Sequence, residues 1–107
     1  MDDFVKHSID KENEIFNGLL DYSRGDKKEA DMIYCSWFTN GLVYTVWADK
    51  KEVWINTAPK EDIDNEIYDT CQFLISRPAP DWDNGLQRKE LAAWLTGIIE
   101  GHIIRTI

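Results

Sequence analysis

Few side chains in this sequence are suited to chemistry: two cysteines, Cys35 and Cys71, two histidines, His7 and His102, and a surplus of carboxylates. A nucleophilic pair of Cys71 with His102 would need a third group to orient the imidazole, and none is evident. A two-histidine nuclease built on His7 and His102 would have to hold RNA against a formal charge of −8. The cysteine spacing matches no zinc or redox pattern, and both thiols are expected to be free and buried. Two acidic runs resemble the start of a calcium loop. The run from Asp62 to Glu66 lacks the turn glycine and reads as helical, and a loop begun at Asp81 would meet Ala92 where a bidentate Glu is needed. There is no glycine-rich phosphate loop, dinucleotide turn or nucleophile elbow. No catalytic residue, metal or cofactor is therefore expected.

The carboxylates carry the stronger signal. Glu61, Asp62, Asp64, Glu66 and Asp69 crowd one segment with only Lys60 to offset them, and Asp81, Trp82 and Asp83 follow in a proline-stiffened loop. Asp62 and Glu66 stand four apart, a repulsive spacing on a helix. A solvated outer face would account for the acids. A footprint for a positively charged protein would also account for the tolerated repulsion.

The elements that must position these groups centre on residues 31–57. Three runs rich in β-branched and aromatic residues are separated by Asn40-Gly41 and by 49–52, which reads as a three-stranded antiparallel meander. Treating Asn40-Gly41 as a two-residue loop pairs Trp37 with Tyr44, Cys35 with Val46 and Ile33 with Ala48. One face then holds those six residues with Val53 and Ile55, and lies under helices. The other holds Met32, Tyr34, Ser36, Phe38, Val43, Thr45, Trp47, Trp54 and Asn56. Its large aromatics Tyr34, Phe38, Trp47 and Trp54 form a second candidate surface, either covered in the fold or a homodimer, or used to bind a partner.

Helices flank the meander. Residues 2–25 carry a broken stripe of Val5, Ile9, Glu12, Phe16, Leu19, Leu20 and Ser23, capped at Asp2 or Asp3, or starting later at Ser8 or Asp10, with Gly25 left-handed at its end. A second helix is expected from 57–59 onward, with Ile63, Ile67, Thr70, Cys71 and Leu74 facing the sheet; 72–75 could equally be a short strand. Asn84 with Gln87 three residues on signals the cap of a third helix, bearing Leu91, Trp94, Leu95 and Ile98. The Gly97–Gly101 spacing marks close approach to another element, with Gly101 ending the helix. The tail 102–107 is β-branched enough to add a fourth strand.

One hundred and seven residues with 43% hydrophobic content make one domain, 1–107, of α+β class: a three-stranded antiparallel meander, with the tail as a candidate fourth strand, packed against about three helices. An acidic balance (pI near 4.6) argues against direct nucleic-acid binding and against anionic lipid. Neither a signal peptide nor a membrane span is read, so a cytoplasmic location is expected. The expected role is a non-enzymatic acidic binding protein, an immunity or inhibitor protein that neutralises a basic partner such as a bacterial nuclease toxin. The alternatives are a phage- or plasmid-encoded nucleic-acid mimic that blocks a restriction or CRISPR effector, and an oligomeric adaptor or structural subunit using the aromatic sheet face.

Overall fold

A four-stranded antiparallel meander carries the fold, and two long helices cover one of its faces. The computed structural model describes residues 2–107, with side chains from Asp10 onward. The order is α1 (Asp2–Arg24), β1 (Asp31–Trp37), β2 (Leu42–Ala48), β3 (Glu52–Pro59), α2 (Lys60–Asp64), β4 (Gln72–Pro78) and α3 (Gly85–Thr106). The strands lie in chain order, each antiparallel to the next. Overall dimensions of 36 × 35 × 18 Å suit two layers, one sheet and one pair of helices. The α+β class stands as expected, with four strands and three helices among the described residues.

The core lies between the layers. Ile15, Leu19 and Tyr22 of α1 and Leu91, Leu95, Ile99 and Ile103 of α3 meet Tyr34, Phe38, Tyr44, Val46, Val53 and Ile55 of the sheet. Fully burying an aliphatic side chain of this size contributes about 1.5–3 kcal/mol, so this cluster supplies much of the driving force for folding. The second hairpin forms as expected, with Ala48 opposite Val53. Asp49 closes it by accepting from the Lys51 and Glu52 backbone N–H groups, both at 2.7 Å.

The first hairpin departs from expectation by one residue. Its loop has three residues, because Gly41 alone takes positive φ (77°) while Phe38 and Leu42 close the ladder. Gly41 N–H donates to the Phe38 carbonyl at 2.9 Å, and Asn40 Oδ1 accepts from the Leu42 N–H at 3.2 Å. Ser36 therefore faces Tyr44, and Tyr34 faces Val46. A one-residue slip exchanges every side chain between faces. Tyr34 and Phe38 enter the core, whereas Cys35 and Trp37 turn outward. A bulge between Met32 and Tyr34 interrupts the alternation, and Ile33 packs beside Gly18 of α1.

The helices also differ from the periodicity reading. α1 is continuous across Glu12, so it has no later start. Its buried side is Lys11, Ile15, Leu19, Tyr22 and Ser23. The side chains of Val5, His7 and Ile9, and capping by Asp2 or Asp3, lie outside the described residues. Gly25 follows α1 without a left-handed φ. α2 stops after five residues. Glu66, at φ 59°, terminates it: its N–H donates to the Ile63 carbonyl (3.0 Å) and the Ile67 N–H to that of Asp62 (2.7 Å). This paired closure is a Schellman end with Glu in the glycine position. It frees 72–78 to form the fourth strand. α3 runs through Gly97 and Gly101 to Thr106, so the tail is helical.

Candidate functional site

Each acidic residue singled out from the sequence is on the surface, but the group divides in two. α2 and the turn after it place Glu61, Asp64, Glu66 and Asp69 in solvent, with Asp62 half-buried. Asp62 accepts from the Thr70 hydroxyl at 2.7 Å, and Asp64 takes the Lys60 ammonium at 2.7 Å. Among the described residues, Glu61, Glu66 and Asp69 carry no ion pair. Asp81 and Asp83 are exposed at the far end of β4, so seven strand residues, roughly 20 Å, separate them from residues 61–69.

Trp82 belongs to the core rather than to that surface. It is 8% exposed, donates Nε1–H to the Lys50 carbonyl at 3.3 Å and meets Tyr22 edge-on, with ring centroids 4.9 Å apart. Arg88 donates to the Trp82 carbonyl and to Ser23 Oγ, tying the loop to both helices.

The same end of the sheet gathers basic residues that are scattered in the sequence. Lys27, Lys28, Lys50 and Lys51 line a concavity of about 680 Å³ with Gly25, Asp26 and Asp49. Asp31 opposite Ala48 brings the loop after α1 beside the β2–β3 turn, and only that pairing reveals the cluster. Asp81 and Asp83 thus belong to an end of mixed charge. Residues 61–69 form the end where negative charge dominates.

The second surface is the sheet face that, among the described residues, no long helix covers. Register places Met32, Trp47, Trp54 and Ser76 in one row across the four strands, and Cys35, Thr45, Asn56 and Phe73 in the next. Trp37 lies at the corner beside Val43. Trp37 and Phe73 are 58% and 63% exposed, and Trp47 and Trp54 are half-buried. Of the four aromatics expected here, Trp47 and Trp54 are present, while Tyr34 and Phe38 lie in the core. Trp37 takes their place because of the slip, and Phe73 because β4 is a strand.

The described contacts of His102 are with Tyr44, and none joins it to a cysteine. Both thiols are exposed, not buried: Cys35 through the slip, and Cys71 because the second helix ends before reaching it. Desolvation pushes the Cys35 thiol above its ordinary value, away from the reactive thiolate. His102 pairs with Tyr44, whose hydroxyl lies 2.6 Å from Nδ1 and also accepts from Asn40 Nδ2 at 2.9 Å. Asn40 donates as well to Thr106 Oγ1, so the network clamps the end of α3 to the first hairpin. That clamp explains a helical tail that β-branched composition could not announce. Lys11, 4% exposed, lies 3.9 Å from Glu100 and 4.6 Å from the Phe38 ring centre. Burial lowers its ammonium pKa, and the Glu100 charge opposes that shift. No group of three His, Cys, Asp or Glu among the described residues is arranged to hold a metal ion. No helix among the described residues is long and apolar enough to cross a membrane.

Comparison of the chain with protein-family models, with curated proteins and with solved structures finds no match.

Proposed function

We propose that this chain is a non-enzymatic binding protein that uses residues 61–69 to engage a basic protein partner, as an immunity or inhibitor protein does with a nuclease toxin. The supporting observation is the concentration of Glu61, Asp62, Asp64, Glu66 and Asp69 on one shoulder of the sheet, with Lys60 as the nearby base and already held by Asp64. Carboxylates displayed in this way attract a cationic surface and accelerate encounter. A partner of this kind is met in the cytoplasm. The mimic reading has less support, since the acids on α2 and those at 81–83 stand at opposite ends rather than along one phosphate-like track.

The test is association kinetics with the product of the neighbouring gene, by stopped-flow fluorescence at low and high salt. Glu61→Lys combined with Asp69→Lys should slow association about tenfold or more at low salt and flatten its salt dependence, the range expected for steering charges. An unchanged rate, or a neighbour that does not bind, counts against the proposal.

A further inference from the structure

We infer that the open sheet face is the apolar half of the same binding surface, and that it receives an amphipathic basic segment of the partner, with apolar side chains on the tryptophans and basic ones toward α2. The inference takes the partner's charge from the function proposed above; its geometry is independent of it. Lys60 joins the two halves physically. Its ammonium contacts Asp64 at 2.7 Å and lies 5.1 Å from the centre of the Trp37 ring, so the acidic shoulder begins where the aromatic face ends.

Where α2 packs on β2 and β3 the sheet is covered, and Val43 and Ala58 are 7% and 4% exposed. Beyond α2 the rows through Trp47, Trp54 and Phe73 are left open among the described residues. Four strands at the usual spacing are about 14 Å wide, close to the 10–12 Å diameter of a helix with its side chains. Tryptophans among small polar residues (Thr45, Asn56 and Ser76) have the composition of an interface centre, where aromatics anchor and polar neighbours complete the seal.

Charge selects among occupants. A second copy docked face to face would bring two chains of net charge −8 together beside their acidic shoulders. Nucleic acid, which could stack on the same rings, meets the same repulsion. A cationic amphipathic segment satisfies both halves.

The probe is a synthetic 18-residue Leu/Lys peptide patterned as an amphipathic helix, compared with a scrambled peptide of equal composition; tryptophan emission and calorimetry report binding. The full chain should bind the patterned peptide at least about tenfold more tightly than the scrambled one. Trp54→Ser should weaken the patterned complex by about tenfold or more, the scale of an interface anchor, while keeping its salt dependence. Phe73→Ser, on the edge strand, should weaken it in the same sense and provides a second variant should Trp54→Ser not fold. Glu61→Lys with Asp69→Lys should instead reduce the salt dependence. Equal binding of both peptides, or full affinity in a folded Trp54→Ser or Phe73→Ser variant, overturns the role of the face but leaves the acidic reading standing. Binding of neither peptide overturns the inference, while the acidic reading is decided by the association kinetics with the partner itself. A dimer in light scattering that Trp54→Ser dissociates would assign the face to a second copy and overturn the inference.

Discussion

Replacing Gly18 by alanine should destabilise the protein, although alanine is the better helix former. A Cβ on Gly18 would lie 2.3 Å from the Ile33 carbonyl oxygen and 3.2 Å from both the carbonyl carbon and Cβ of that residue. A carbon–oxygen contact ordinarily needs about 3.3 Å, so α1 and the bulged strand must part by about 1 Å. The obstruction is backbone and cannot rotate away. Overpacking of this kind costs about 1–3 kcal/mol, and the extreme closeness here places it at the upper end. The gain in helix propensity returns about 1 kcal/mol. A net loss of about 1–2 kcal/mol follows, or roughly 4–8 °C per kcal/mol in a domain of this size.

Gly97 provides the internal control. It is exposed on α3, and a Cβ there would meet nothing within 4 Å. Gly97→Ala should stabilise by about 0.5–1 kcal/mol. The same substitution restricts the unfolded chain similarly at both sites, so the difference between the variants reports the native contact. Urea titrations of both, with equal m-values, measure it. If Gly18→Ala is as stable as Gly97→Ala, the close approach of α1 to β1 is wrong. The comparison also corrects the spacing argument: Gly18, not the Gly97–Gly101 pair, marks close approach.

Three further outcomes are expected. Glu66→Gly should raise the melting temperature, because a side chain in the left-handed region costs about 1 kcal/mol and the Schellman end needs none; an unchanged melt would deny that strain. Trp82→Ala should cost about 3–5 kcal/mol, as truncating a buried aromatic does, whereas a loss near zero would return Trp82 to the surface. Burial, with the Arg105 charge adding to it, holds His102 below its ordinary value of 6.5. Just below that value the unfolded chain binds more protons than the folded one, so stability rises with pH across this window and falls on acidification. His102→Gln should reduce that fall in urea midpoints between about pH 5 and 7; an identical profile would exclude His102 as its source.

The elements with local signals were the ones legible in the sequence. Asn84 accepts from the Gln87 N–H at 3.1 Å as the capping pattern implies, although the Gln87 side chain turns instead to the Asp81 N–H at 2.8 Å. The three meander strands and the second hairpin followed from period-two patterning and turn chemistry. The acidic segment was visible as composition, but its break into a five-residue helix and a turn was not. Ile63, Ile67, Cys71 and Leu74 keep helical spacing, and Glu66 gives no sign that it will adopt a left-handed conformation.

What the chain determined alone was therefore the number and kind of its central strands, the site of the first reversal and the excess of negative charge. These depend on neighbours within a few residues. The tertiary structure decided which aromatics are core. A two- or three-residue loop at Asn40-Gly41 differs little locally, whereas only one register buries Tyr34 and Phe38 with Tyr44 beneath the helices. It also decided the fate of 72–78 and 102–107, where β3 offers one segment an unpaired edge and Tyr44 and Asn40 hold the other against the first hairpin. The open tryptophan face and the gathered lysines arise the same way, from residues distant in the chain that strand pairing brings side by side.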